Sequence, residues 1–139
     1  TATPWDGGVY GPAATAQVTI LDELPIVPSG SYSLSPGIFY QCAWGLVTLS
    51  YNTFTFYVNG TFMQVSPMMN GGCTMSGSYN PQTHAFSVSC IYYGTCNETY
   101  NLSGTFNPDN SWTGTWTVNF SGQCFGCSYN SANLTGTKL

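Results

Sequence analysis

Few side chains in this 139-residue sequence could carry out catalysis. One histidine, His84, could pair with a nucleophile, and two carboxylates could act together on a glycosidic bond. No Gly-x-Ser-x-Gly or comparable signature surrounds any serine, so we interpret His84 as a structural or surface residue. Asp22 and Glu23 would point to opposite faces of a strand, and the other acids fall in predicted loops, so we expect no catalytic residues and no enzymatic activity. The five acidic residues are Asp6, Asp22, Glu23, Glu98 and Asp109.

The six cysteines could form disulfides, a redox pair or a metal site. They are Cys42, Cys73, Cys90, Cys96, Cys124 and Cys127. Cys124-Phe-Gly-Cys127 is a C-x-x-C pair, but no helix is predicted after it, no basic residue lies near it, and a single pair with one distant histidine does not make a zinc site. An even number in a short chain predicts three structural disulfides, with no metal and no cofactor. Connectivity stays open, and local pairing (Cys90 with Cys96, Cys124 with Cys127, Cys42 with Cys73) is our working prediction.

Charged residues make up only 4% of the chain, against about 25% in a typical soluble domain. The single basic residue, Lys138, cannot neutralise a run of phosphates or hold the chain on an anionic membrane. No apolar run reaches the length of a membrane-spanning helix. We therefore expect neither a nucleic-acid partner nor membrane insertion. Some fibre subunits carry a Lys–Asn cross-link formed beside a buried acid, but no such acid is identifiable near Lys138, which we interpret as an ordinary lysine.

Five N-x-[ST] sequons, together with the even cysteine count, predict an extracellular or cell-surface protein. The sequons begin at Asn59, Asn97, Asn101, Asn119 and Asn133. The sequence opens at Thr1 without a charged start or an apolar stretch, as expected of a chain whose signal peptide has been removed. We predict that these asparagines are glycosylation sites and that most of them carry a glycan, which would also keep a nearly uncharged surface soluble. A periplasmic or cell-wall protein with accidental sequons is the alternative.

Alternation of apolar and polar residues along most of the chain predicts β-strands. Between residues 111 and 121, the large apolar residues Trp112, Trp116 and Val118 fall on one face, and sequon Asn119 falls on the other. Helix signals are nearly absent. The spacing of strands and turns predicts an all-β fold, either an antiparallel β-sandwich (jelly-roll or Ig-like) or a small barrel.

Turn signals separate these strands. Residues 53–65 form a predicted hairpin around Asn59-Gly60, which would pair Phe56 with Met63. Ser76-Gly-Ser-Tyr-Asn-Pro recurs as Ser103-Gly-Thr-Phe-Asn-Pro, and Asn-Pro is a natural start of a type I turn. This weak repeat favours a meander of hairpin-connected strands.

The first 36 residues hold five of the eight prolines and no cysteine. This composition predicts an extended N-terminal arm over residues 1–36, with one strand at about 16–24, followed by a single disulfide-bonded β domain over 37–139. The arm could pack on its own domain or pair with the sheet edge of a neighbouring subunit. In the second case the residues of the assembly strand would be Val18, Thr19, Ile20 and Leu21.

The chain resembles the pilin-like subunits of extracellular fibres built by donor-strand exchange. The shared features are an N-terminal arm, a β-sandwich, very few charges and a high content of Thr, Ser, Asn, Gly and Tyr. The resemblance implies a secreted, glycosylated structural subunit whose partner is itself, a homopolymer formed by N-terminal strand exchange. The Gly-Thr-aromatic-Asn-Pro repeats also look like avidin-type or lipocalin-type barrels, which implies a lectin-like or calycin-like module that binds a sugar or small ligand. Aromatic residues outside the predicted core could line such a site: Tyr92, Tyr93, Tyr57, Phe62 and Trp5.

Overall fold

The computed structural model describes residues 26–36, 38–43, 45–49, 51–69 and 72–139. Ten strands lie within these ranges, and no helix does. They are β1 (Gly30–Ser35), β2 (Ile38–Cys42), β3 (Gly45–Leu49), β4 (Thr53–Asn59), β5 (Phe62–Met69), β6 (Cys73–Tyr79), β7 (Ala85–Tyr92), β8 (Cys96–Phe106), β9 (Ser111–Gly122) and β10 (Asn130–Lys138).

Eight of these strands form one closed antiparallel barrel in the order β1-β4-β5-β6-β7-β8-β9-β10. The ring closes where β10 pairs with β1, with Thr135 opposite Ser35 and Lys138 opposite Tyr32. The all-β prediction and the small-barrel option are therefore confirmed. The sandwich option is wrong, because the main sheet closes on itself instead of packing against a second one. The hairpin β2–β3 is a separate two-stranded sheet inserted between the barrel neighbours β1 and β4.

The region predicted to be an N-terminal arm contributes a strand to the barrel. Residues 30–35 are β1, which pairs with β10 on one side and β4 on the other. The predicted arm strand at about 16–24, which includes all four predicted assembly residues, lies outside the described residues. Within the described part of the chain, every barrel strand has a neighbour on both sides.

The predicted faces of the strands are confirmed. Trp112, Trp116 and Val118 are fully buried, and Asn119 is exposed. Leu102 and Leu134 face inward, each directly after an exposed sequon asparagine. The interior of an eight-stranded barrel is just wide enough to be filled by side chains, and here large apolar residues fill it.

The hairpin of β4 and β5 turns one residue later than predicted. Asn59 lies opposite Phe62, and Phe56 lies opposite Val65 and not opposite Met63. The turn therefore uses Gly60, whose φ of 63° suits the first position of a tight hairpin turn. The predicted and observed registers differ by two positions, so the same side chains face inward in both.

Rings packed around Phe56 form the core at one end of the barrel, which we call the closed end. It is the end where β4 turns into β5, β6 into β7 and β8 into β9. The Phe56 ring centroid lies 5.4 Å from that of Tyr32, 5.5 Å from Phe86, 5.3 Å from Phe106 and 5.5 Å from Trp112. Three of these pairs are edge-to-face within about 15° of perpendicular, and such pairs add to the stabilisation from burial.

Polar groups seal the closed end. The Tyr32 hydroxyl donates to the Pro28 carbonyl at 2.8 Å, and Lys138 Nζ donates to the Val27 carbonyl at 2.7 Å. Burial of its hydroxyl raises the pKa of Tyr32 to about 12, with a smaller contribution from the nearby Tyr79. Tyr32 therefore stays neutral at physiological pH and keeps its hydrogen bond to the preceding segment.

Two inward-facing glycines let β8 and β9 approach closely. Gly104 lies opposite Gly114 in the pairing of these strands. A Cβ on Gly104 would lie 2.2 Å from the carbonyl oxygen of Thr113, and one on Gly114 would lie 2.4 Å from that of Ser103. Any larger residue would force the two backbones apart, so glycine at both positions permits the local curvature that barrel closure needs.

Candidate functional site: the barrel mouth

The end of the barrel opposite the closed end, which we call the mouth, carries all three disulfides. They are Cys42–Cys127, Cys73–Cys90 and Cys96–Cys124. The prediction of three disulfides is confirmed, and the predicted local pairing is wrong. Strand register explains the difference: β7 and β8 pair so that Cys90 lies opposite Tyr100, while Cys96 lies opposite Gly122 of β9.

The C-x-x-C segment is a turn whose two cysteines belong to different disulfides. The Cys127 backbone N–H donates to the Cys124 carbonyl at 2.9 Å. Cys124 links this turn to the start of β8, and Cys127 links it to the end of β2. The segment therefore joins the barrel wall to the inserted hairpin, and no free thiol remains for redox chemistry.

The hairpin β2–β3 packs against the mouth. Ile38 is fully buried and belongs to the same hydrophobic core as the barrel residues. The Ser128 backbone N–H donates to the Gln41 carbonyl at 3.1 Å, which adds a hydrogen bond beside the Cys42–Cys127 disulfide. The hairpin is thus attached at the mouth by burial, by a hydrogen bond and by a covalent bond.

A cavity of about 230 Å³ opens at the mouth between the β7–β8 turn and the loop that precedes β10. Tyr92 and Phe120 contribute aromatic walls, Glu98 contributes a carboxylate, and Phe125 lies at the edge. The Cys96–Cys124 disulfide lines the cavity and connects its two sides. Its walls are therefore held by strands and a covalent link.

Glu98 faces the inside of the barrel, and sequence reasoning missed it by assigning it to a loop. It lies on β8 in phase with the buried residues Tyr100 and Leu102. Its strand neighbours are Tyr92 on β7 and Phe120 on β9, so three cavity residues stand side by side across the sheet. The two-residue period of Glu98-x-Tyr100-x-Leu102 was the signal that could have placed it inside.

The Glu98 carboxylate is half-buried, and it accepts a hydrogen bond from the Tyr100 hydroxyl. Among the described residues no cation lies near it: the only Lys or Arg of the sequence, Lys138, donates to Val27 at the closed end. Asp109 is also at the closed end, where hydrogen bonds from the Ser111 side chain and backbone lower the pKa of its carboxyl group. Glu98 and Asp109 therefore do not form the carboxylate pair that glycoside hydrolysis would need.

Two buried indole N–H groups have no hydrogen-bond acceptor among the described residues. They belong to Trp112 and Trp116, both fully buried in the barrel. The Trp116 ring lies 6.0 Å from that of Tyr100, between the mouth and the closed end. A buried donor without a partner costs about 1–3 kcal/mol, so the contribution of these residues to stability comes from the apolar volume that their rings fill.

Exposed aromatic side chains lie at the rim of the mouth. Phe125 is 77% exposed and has a φ of 53°, a conformation that is unfavourable for a bulky residue. Tyr93, in the β7–β8 turn, is 74% exposed, and Tyr129, just before β10, is 59% exposed. Exposed strained residues of this kind are common at binding sites.

The other residues considered from the sequence lie away from the mouth. His84 is at the closed end, where its Nδ1 lies 2.9 Å from the Tyr79 hydroxyl, in agreement with a structural interpretation. Tyr57 and Phe62 are exposed on the β4–β5 hairpin. Trp5 lies outside the described residues. Of the predicted aromatic candidates, Tyr92 and Tyr93 therefore lie at the mouth.

The sequon asparagines differ in exposure. Asn59, Asn101, Asn119 and Asn133 are exposed on the outside of the barrel. Asn97 is half-buried, and its side-chain oxygen accepts the Gly94 backbone N–H at 3.1 Å.

Two larger depressions lie on the outer surface. One of about 660 Å³ covers Gly104 and Gly114, and the other, of about 450 Å³, lies beside the turn at Asn80. Neither is lined by a carboxylate or an amine, although the second one includes the rings of Tyr79 and Phe86. The mouth cavity is smaller, but it brings the carboxyl group of Glu98 together with aromatic walls.

Comparison with protein-family models, with curated proteins and with solved structures found no match for this chain. Within the described ranges, no group of three or more His, Cys, Asp or Glu residues is placed to hold a metal ion. In the same ranges, no helix is long and apolar enough to span a membrane.

Proposed function

We propose that this protein is a ligand-binding β-barrel that takes a small organic molecule, such as a sugar or an amine, into the cavity at its mouth. The observation that carries the proposal is the alignment of Tyr92, Glu98 and Phe120 across three adjacent strands. Ligand sites typically combine apolar and aromatic walls with a few oriented polar groups, and the mouths of β-barrels are a frequent location.

Two features of the mouth support binding over a purely structural role. The cavity walls are fixed by the sheet and by the Cys96–Cys124 disulfide, so little ordering entropy is lost when a ligand enters. The exposed rings of Phe125 and Tyr93 offer faces on which a sugar or other flat ligand can stack at the entrance.

The hypothesis of a filament built by exchange of the strand at about 16–24 stays a prediction. Strand exchange adds a segment to a free sheet edge. In the described part of the chain the barrel strands are all paired on both sides, and a ligand-binding barrel needs no free edge. This is why we favour the binding function.

Binding is tested by protein-observed NMR with a fragment panel of neutral sugars, organic amines and organic acids. We expect one class to shift signals of Tyr92, Glu98 and Phe120, and expect Phe120→Ala to lose the effect. Phe62→Ala is the matched control, because Phe62 is an exposed aromatic residue outside the mouth. If no compound shifts mouth signals, or if every shift falls on the outer wall, the proposal fails.

We also propose that the protein is secreted and glycosylated, for which three disulfides in a small chain and four exposed sequons give support. When the chain is secreted from a eukaryotic cell, we expect glycans at Asn59, Asn101, Asn119 and Asn133 and a bare Asn97, whose amide is engaged by Gly94. Intact-mass measurement before and after enzymatic deglycosylation checks this. Asn101→Gln should remove the mass of one glycan and Asn97→Gln should remove none; a secreted chain of 14.9 kDa that deglycosylation leaves unchanged would contradict the proposal.

A further inference from the structure

We propose that the mouth cavity selects a small organic cation, a protonated or quaternary amine, through the Glu98 carboxylate and the rings of Tyr92 and Phe120. The inference rests on the proposed binding function and names the ligand class for it. It depends on three observations: the position of Glu98, the lack of a cation near it among the described residues, and the aromatic residues beside it.

Within the described residues, Glu98 has polar contact with one hydroxyl and with no cation. Its side chain is half-buried beside the rings of Tyr92 and Phe120. One hydroxyl, that of Tyr100, donates to it. The single Lys or Arg of the sequence is at the closed end, so a cationic ligand would place an opposite charge beside Glu98 that no described residue provides.

The neighbouring rings favour an organic cation over an inorganic one. Tyr92 and Phe120 lie opposite Glu98 on the two adjacent strands, so rings stand on both sides of the carboxylate. The face of an aromatic ring attracts an alkylammonium group, and the attraction is larger where water is excluded. A small metal ion would instead need several oxygen ligands, and Glu98 is the single carboxylate lining this cavity.

The net charge of the chain also favours a cationic ligand. The chain has a formal net charge of −4, which raises the local concentration of cations and disfavours anions. Attraction of cations by the net charge would not distinguish one site from another. An experiment must therefore separate this attraction from recognition of the ligand by Glu98.

The test compares two probes of nearly the same shape: choline, a quaternary ammonium alcohol, and 3,3-dimethyl-1-butanol, its neutral carbon analogue. Binding to the full chain is measured by NMR titration of the signals of mouth residues. We expect choline to bind at the cavity at least about tenfold more tightly than the neutral analogue, as cation–π and carboxylate contacts together predict.

Substitutions assign the preference to named groups. Glu98→Gln, which retains an acceptor for the Tyr100 hydroxyl, should remove most of the preference for choline. Phe120→Leu should weaken the binding of choline several-fold and leave the binding of the neutral analogue almost unchanged, because it removes the ring but retains an apolar wall. Asp109→Gln is the matched control: it removes the same charge at the closed end without creating a sequon with Ser111, and it should not change the preference.

Each outcome bears on one proposal or both. Equal binding of the two probes, or a preference that survives Glu98→Gln, overturns the cation assignment and leaves the binding function intact. An equal loss of preference in Asp109→Gln also overturns it, because the effect would then come from net charge alone. If neither probe binds, the cation assignment fails, and the fragment panel decides whether the binding function fails with it.

Discussion

Replacing Trp112 with alanine is expected to lower the free energy of unfolding by about 3–5 kcal/mol, the range for removal of a large buried aromatic side chain. Trp112 is fully buried, and its ring packs edge-to-face on Phe56 at 5.5 Å and on Phe86 at 5.8 Å. The neighbouring rings cannot move into the space that the substitution leaves without further loss of stability, because the closed barrel holds them in place. Chemical denaturation monitored by circular dichroism measures the change.

Two further variants test whether the loss of stability comes from lost packing in the core and not from removal of an aromatic residue as such. Trp112→Phe retains an aromatic ring and removes the indole N–H that has no acceptor, so we expect it to cost much less than Trp112→Ala. Tyr57→Ala removes an exposed ring from the outer wall and should change stability by no more than about 0.5 kcal/mol. The account of the core is wrong if Trp112→Ala and Tyr57→Ala have similar effects.

The faces of the strands could be predicted from the sequence because side chains alternate with a period of two. In β9 the period identified Trp112, Trp116 and Val118 as buried, and the structure places all three in the core. The same period survives a register error: the β4–β5 hairpin was predicted two positions out, yet Phe56 and Met63 still face inward.

Closure of the barrel could not be predicted, because it depends on a strand with a weak local signal. β1 has the sequence Gly-Ser-Tyr-Ser-Leu-Ser and lies in a proline-rich region, so its composition indicated an arm. It becomes a barrel strand because β10 and β4 provide partners on both sides. A choice between sandwich and barrel is a choice between long-range pairings, which local periodicity does not encode.

The mouth site was accessible to sequence reasoning only in part. Tyr92 and Tyr93 were identified as candidate aromatic residues, and both lie at the mouth. The sequence analysis assigned Glu98 to a loop, although on β8 it is in phase with the buried residues Tyr100 and Leu102. The disulfide partners depend on which strands become neighbours and in what register, and the sequence alone could not supply either.

The Cys42–Cys127 disulfide should be the covalent link with the largest effect on stability. Its cysteines are 85 positions apart, against 17 for Cys73–Cys90 and 28 for Cys96–Cys124. In the unfolded chain the two shorter disulfides already bypass part of the long loop, so loop-closure entropy predicts a loss of about 4 kcal/mol for Cys42→Ser with Cys127→Ser. Thermal and chemical denaturation of the double variant, with the other two disulfides intact, gives the value.

Loss of the Cys42–Cys127 disulfide should also loosen the hairpin β2–β3, in addition to lowering the stability of the whole domain. Cys42 ends β2, so without the bond the hairpin β2–β3 is held at the mouth by the burial of Ile38 and by the hydrogen bond from Ser128 to Gln41. We expect the double variant to expose residues 38–49 to limited proteolysis before the barrel unfolds, since weakly attached elements open locally at lower free energy. Cys73→Ser with Cys90→Ser is the control: it should cost about 3 kcal/mol by the same entropy argument but leave the hairpin protected. Equal protease sensitivity of the hairpin in both variants would mean that Cys42–Cys127 does not hold it against the mouth.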